Sequence, residues 1–157
     1  MKTDIDALIQ NLEETGRFSD EKKYSQHGST SVYEHSIHVA CTSLSITKKL
    51  PFKVDTESLL RGALLHDYFL YDWHEKDKSH RLHGFFHPGK ALQNAREDFS
   101  LTKTEKNIIL RHMFPLTPIP PACREAWIVC LADKYCALKE TFSPFSSRLR
   151  KLKNNDY

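Results

Sequence analysis

The stretch Thr56-Glu57-Ser58-Leu59-Leu60-Arg61-Gly62-Ala63-Leu64-Leu65-His66-Asp67-Tyr68-Phe69-Leu70 decides the reading of the fold. Leu59, Leu60, Ala63 and Leu64 recur with the period of a helix that buries one side, so a helix is expected over about residues 56–70. On that helix Leu59, Ala63, His66, Asp67 and Leu70 share one broad face, which sends an imidazole and a carboxylate inward where the stripe calls for apolar groups. A carboxylate buried without a partner costs several kcal/mol or takes up a proton. The pair therefore requires cations or dense hydrogen bonding around it.

The helical period continues in both directions. Glycine is scarce, 5 in 157 residues, and strand-like alternation is absent, so the chain reads as all-α, a single bundle of about six or seven helices. Upstream, Ile5, Leu8, Ile9 and Leu12 form the stripe of a first helix over about 4–15, with Thr3 as its cap and Gly16 as its stop. A polar segment, 17–30, follows. Ser31-x-x-Glu34 is a capping box that opens a second helix reaching about Lys49. Downstream of Leu70, a polar, histidine-rich loop covers 72–83, and His87-Pro88 reads as the start of a helix to about Asp98, because proline is favoured in a first turn. Thr102-x-x-Glu105 is a second capping box, for a helix to about His112. Pro115, Pro118, Pro120 and Pro121 then impose an extended connection before a last helix over about 122–140.

Composition narrows the function classes. With 39% hydrophobic residues, 27% charged and a net charge of +3, the chain reads as soluble and globular, one domain over 1–157 with a motif core at about 30–140 and a basic tail at 144–157. The tail residues Arg148, Arg150, Lys151 and Lys153 read as solvated, and the other basic residues are dispersed, so no nucleic-acid partner is expected. No apolar run approaches the roughly 18 residues of a membrane span, and Met1 to Asp6 is polar and acidic, unlike a secretion signal. A cytoplasmic protein without a membrane partner is expected. Cys41, Cys123, Cys130 and Cys136 contain no C-x-x-C pair and read as reduced thiols.

Nine histidines are unusual for this length, and five lie between His66 and His87. On the second helix His35 shares a face with Val39, Thr42 and Ile46; on the last, Asp133 interrupts Ala126, Val129, Cys130 and Ala137. A lone inward histidine is ordinarily a hydrogen-bonded core residue, and a lone aspartate a cap or ion-pair partner. His35, the adjacent His66 and Asp67, and Asp133 together point instead to imidazoles and carboxylates from separate helices converging on a transition-metal site.

Three segments carry a resemblance. Val32-Tyr33-Glu34-His35-Ser36, Gly62-Ala63-Leu64-Leu65-His66-Asp67 and Leu131-Ala132-Asp133-Lys134-Tyr135-Cys136-Ala137-Leu138, in that order, resemble the H…HD…D signature of the HD-domain metal-dependent phosphohydrolases. The resemblance implies an all-α bundle in which His35, His66, Asp67 and Asp133 bind a divalent metal. It further implies a second ion, as in the two-metal members. His87 in its His-Pro pair and His112 in Ile109-Leu110-Arg111-His112 match the two additional histidines, with Asp67 bridging both ions; His83 or His80 could stand in for His87. Imidazole-rich, carboxylate-bridged ligation suits iron or manganese better than magnesium. Members of the HD-GYP branch follow the HD pair with Ile-Gly-Lys, whereas this chain has Tyr68-Phe69-Leu70 and no GYP segment. That argues against a cyclic-di-GMP enzyme and leaves the phosphate contacts to other residues.

The implied chemistry is hydrolysis of a phosphoester or phosphoanhydride of a nucleotide, dinucleotide or other small phosphorylated molecule by a metal-activated water, with Asp67 both ligand and catalytic residue. His74 and His83, in the loop expected to rim the pocket, are the candidates for protonating the leaving group. Lys90, read as lying in the first turn of the His87-Pro88 helix, is a candidate phosphate contact. His27 and Tyr33 are candidate substrate contacts, and His38 is read as packing beside His35. Two other functions compete. A non-catalytic nucleotide-binding or signalling domain that retains metal is favoured by the missing lysine and opposed by the six-ligand set; a purely structural metal is disfavoured by mixed His/Asp ligation.

Overall fold

Along the chain run α1 (Lys2–Thr15), a 3-10 helix (Phe18–Lys23), β1 (Ser25–His27), β2 (Thr30–Ser31), α2 (Val32–Thr47), α3 (Thr56–Leu65), α4 (His83–Asp98), α5 (Lys103–Arg111) and α6 (Arg124–Lys153). This is a computed structural model, and it describes residues 2–72 and 82–153. Both capping boxes form: Ser31 with Glu34 opens α2, and Thr102 with Glu105 opens α5, each pair satisfying two otherwise orphaned amides. Asp55 caps α3 by accepting from the Ser58 N–H.

Helix α3 is the centre of the bundle. Its Leu59, Leu60, Ala63, Leu64 and Leu65 are all buried, against Val39 and Ala40 of α2, Ile108 and Ile109 of α5, and Val129 and Ala132 of α6. Each fully buried leucine or isoleucine contributes about 1.5–3 kcal/mol. Gly62 permits the closest approach: a Cβ there would collide with the Ile108 side chain, whose own Cβ would lie 3.0 Å away. The expected all-α bundle is therefore present, with α2 packed on α3 and α6, and α5 on α3, α4 and α6. Among the described residues no helix is long and apolar enough to cross a membrane.

Several boundaries differ from the sequence expectation. The segment 17–30 holds the 3-10 helix and an antiparallel hairpin, β1 with β2, turning through Gly28 at φ 59°. Strands of three and two residues are too short to display an alternation. α3 stops at Leu65, so His66 is its C-cap and Asp67 lies in the following turn instead of on a continuing helical face. The turn runs into Leu70 at φ 55°, and Asn94 Nδ2 holds it by donating to the carbonyls of Tyr68 (3.0 Å) and Phe69 (2.9 Å). α4 begins at His83, a turn ahead of the expected His87-Pro88 start, because the Phe85 and Phe86 amides already bond the Leu82 carbonyl; Pro88 thus sits inside the helix. The proline-rich connection is turned rather than extended, with Phe114 N–H on Arg111 O and Leu116 N–H on Met113 O. α6 runs on to Lys153, through Pro144, so the expected tail is helical from 144 to 153. No glycine interrupts it.

Candidate metal centre

Four imidazoles are locked by their Nδ1 atoms. His66 Nδ1 donates to the Ala63 carbonyl (2.6 Å), His112 Nδ1 to Ile109 (2.8 Å), His87 Nδ1 to His83 (2.9 Å), and His35 Nδ1 to Glu140 Oε2 (2.8 Å). A carbonyl oxygen can only accept, and so can an ionised carboxylate, so each ring carries a proton on Nδ1 and keeps Nε2 for a ligand.

Those Nε2 atoms converge on two carboxylates. His35 Nε2 lies 2.9 Å from Asp133 Oδ1 and 3.8 Å from Asp67 Oδ2; His66 Nε2 lies 3.2 Å from Asp67 Oδ2 and 3.5 Å from Asp133 Oδ1. On the other side of the same carboxylate, Asp67 Oδ1 lies 3.0 Å from His87 Nε2 and 3.3 Å from His112 Nε2, which are 2.8 Å from each other. Two groups of metal-ligand character result, His35 with His66, Asp67 and Asp133, and Asp67 with His87 and His112; every member is buried. Asp67 belongs to both, one oxygen facing each group.

The residues present fit divalent cations. If every ring is neutral with its proton on Nδ1, Nε2 lone pairs face carboxylate oxygens and, between His87 and His112, each other, an arrangement of acceptors that only positive charge relieves. His66 Nε2 and Asp67 Oδ1 are buried without a hydrogen-bond partner. The titration of the groups expresses the same demand. Burial opposes the imidazolium of His35, yet its bonds to Asp133 and Glu140 prevail and push it up to about 9. His66 is likewise raised against burial, chiefly by the Asp67 charge and the Asp133 hydrogen bond. Burial works against ionisation of Asp67 and Asp133, but the surrounding imidazoles hold both well below the usual carboxylate range. Burial lowers His112. Mixed imidazole and carboxylate donors of this kind suit transition ions, by chemistry rather than by any one distance.

A cleft of about 770 Å³ opens onto the centre, lined by Asp67, His87, His112 and Asp133 together with the apolar Met113, Pro115, Leu116 and Ala137. His83 and His27 also line it. The His83 ring stacks on His87 at 4.4 Å between centroids, and its Nδ1 bonds the Tyr71 hydroxyl (2.8 Å). His27 meets the edge of His35, and burial lowers its pKa.

The other expected residues lie elsewhere. His74 and His80 lie outside the described residues. Lys90 is exposed and, because α4 starts at His83, sits beyond the first turn, so the helix N-terminus no longer recommends it as a phosphate contact. Tyr33 turns to α1, where its hydroxyl donates to Glu13 Oε1 (3.0 Å) and its ring packs on Phe18. His38 is exposed, yet it shares Glu140 with His35 through Oε1 (2.9 Å).

Three residues of the centre escaped the sequence reading. Lys134 lines the cleft and donates from Nζ to the His112 carbonyl (2.9 Å); its position directly after Asp133 was the available signal. Glu140 follows Asp133 by two helical turns, a spacing that puts both on one face of α6. Gln26, which donates to Asp67 Oδ2 (2.6 Å) from β1, had no signal, because its hairpin was not foreseen.

Comparison with known families matches residues 32–138, more than half of the chain, to the HD domain. The chain belongs to the HD-domain family. No curated protein and no solved structure matches it. HD domains bind divalent metals and are largely metal-dependent hydrolases. In this HD domain the matched span contains both clusters, from His35 to Asp133.

Proposed function

We propose that the protein is a metal-dependent phosphohydrolase that cleaves a phosphoester or phosphoanhydride of a nucleotide, dinucleotide or other small phosphorylated molecule. The observation that carries this reading is Asp67, whose two oxygens face separate histidine groups, a carboxylate placed to serve two ions. His35, His66, Asp67 and Asp133 would hold one ion, and Asp67, His87 and His112 the other; iron and manganese suit the donor set. Bound there, such ions supply a water acidified towards neutrality and positive charge against the phosphoryl oxygens.

The chain's own groups do the rest. Lys134 Nζ, the one lysine among the described residues lining the cleft, is available to a phosphate oxygen on leaving the His112 carbonyl. Gln26 orients Asp67 through its amide, which prevents the carboxylate from rotating out of reach of either histidine group. His83, steadied by Tyr71 and by its stack on His87, would hand a proton to the departing oxygen, and His27, which also lines the cleft, is the second candidate for that role. The wall of Met113, Pro115, Leu116 and Ala137 offers an apolar surface to a leaving group such as a nucleoside.

The test is incubation of purified protein with Mn²⁺ and a panel of nucleotides, dinucleotides and small phosphate esters, with phosphate release as the readout. Turnover of at least one substrate, abolished by chelator and restored by Mn²⁺, is the expected result. Tight metal and nucleotide binding without turnover would point instead to a binding or signalling domain.

A further inference from the structure

The four imidazoles are not oriented alike. His66, His87 and His112 each give their Nδ1 proton to a backbone carbonyl three or four residues earlier, whereas His35 gives its proton to a carboxylate, Glu140 Oε2, at 2.8 Å. Glu140 is itself almost enclosed, with a side chain 8% exposed, and its other oxygen is fixed by His38 Nδ1 at 2.9 Å. The two clusters consequently differ in charge. Around His35 and His66 stand Asp67 and Asp133, with Glu140 behind; around His87 and His112 stands Asp67, and among the described residues no second carboxylate completes that cluster.

An imidazole whose N–H is bonded to a carboxylate is a stronger donor through its other nitrogen than one bonded to a neutral carbonyl, because the carboxylate stabilises the positive charge that the ring acquires on ligation. We infer that Glu140 is a positioning residue that strengthens His35 and makes the two metal positions unequal. The position at His35, His66, Asp67 and Asp133 holds its ion tightly, and the position at Asp67, His87 and His112 is loose and exchangeable. This rests on the metal-centre reading above and adds to it a ranking of the two positions and a residue responsible for the ranking.

The competing role for Glu140 is structural, as a clamp between α6 and α2. Glu140→Gln separates the two. Glutamine keeps the shape and an oxygen that accepts the His35 Nδ1 proton, and the exposed His38 can present its other tautomer to the amide; only the negative charge is lost. Metal-free wild type and Glu140→Gln are titrated with Mn²⁺, following heat and the electron paramagnetic resonance signal of free Mn²⁺, and the Tm of each metal-free protein is measured.

Wild type is expected to bind two ions with clearly different dissociation constants. Glu140→Gln should weaken the tighter one about 10–100-fold and leave the weaker one in place. Unchanged Mn²⁺ binding by the variant overturns the inference, as does a parallel weakening of both positions with a fall in metal-free Tm. If the variant does not fold, the wild-type titration still decides: two positions of equal affinity overturn the inference. A wild type that binds no divalent ion overturns the metal-centre reading as well, which distinguishes the two failures.

Discussion

His35, His66 and Asp133 come from α2, the end of α3 and α6, three elements packed on one another through the core, whereas His87 and His112 come from the second turn of α4 and the cap of α5. The first set inherits its geometry from helix packing, and a carboxylate stands behind it. The second set is held by local carbonyl bonds and by Phe69, whose ring packs edge-on against His83 (4.8 Å) and His87 (5.6 Å). Asp67 belongs to neither helix body, since it sits in the turn that joins the two halves. A two-part centre can thus be built from one rigid half and one local half, provided that the shared residue is held independently of both. Asn94 and Gln26 supply that hold, on the backbone after Asp67 and on its side chain.

The largest effect is expected where the halves meet. Asp67→Ala should remove both ions and reduce hydrolysis to the background of the buffer, while the apolar core keeps the chain folded at a lower stability, since the surrounding imidazoles lose the carboxylate they face. Metal analysis and circular dichroism on the same sample check it; an alanine variant that still held two ions would end the assignment of Asp67 as the shared ligand.

Next comes the separation of the halves. The double variant His87→Ala/His112→Ala should retain one ion of two and lose most activity, and its remaining ion should be lost on adding His35→Ala. Loss of both ions from the double variant would show instead that the halves bind as a unit.

A smaller, purely structural effect concerns the spacing that brings Asp67 to His112. Gly62→Ala forces a methyl group against Ile108 and must push α3 and α5 apart, at a cost of about 1–3 kcal/mol. The variant's chemical denaturation midpoint should fall, and its two Mn²⁺ affinities should draw further apart. An unchanged midpoint would mean that the two helices are less tightly seated than their contact implies.

The smallest effect lies behind the centre, where the Tyr68 hydroxyl donates to Asp98 Oδ2 (2.7 Å) and Arg17 Nε lies 2.8 Å from the same atom. Burial works against ionisation of Asp98, but Arg17 and Tyr68 outweigh it and hold the carboxyl below its ordinary range. The folded pKa is therefore below the unfolded one, so this contribution is complete above about pH 4 and is lost as pH falls through the folded value. Asp98→Asn should cost about 1 kcal/mol or less at neutral pH, since Arg17 is largely solvated, and should flatten the fall of Tm below about pH 4. A variant with the same acid limb as wild type would remove Asp98 from the account.

How much was legible can be judged residue by residue. The stripes and caps of α2, α3 and α5 could be read because amphipathic period and capping chemistry are local, and inward His35, His66, Asp67 and Asp133 were visible as interruptions of those stripes. His87 and His112 were reached through family resemblance rather than through periodicity. Pro88 reads locally as a helix start, but the turn closed on the Leu82 carbonyl precedes it, so Lys90 stands beyond the first turn of α4. The bond from Tyr33 to Glu13 could not be read from the sequence, because Glu13 lies on another helix, at a distance in the chain that no local rule spans.

Residue order alone dictates that this chain makes amphipathic helices with two capping boxes, and that four ligand-type side chains must turn inward, because those outcomes depend on neighbours within one or two helical turns. Only packing decides that Asp67 leaves the helix and turns one oxygen to each histidine group, that Glu140 stands behind His35, and that Gln26 reaches across from a hairpin. The Gln26 and Glu140 contacts join residues 41 and 105 positions apart, where the chain's local preferences have no say and the burial of apolar faces sets the geometry.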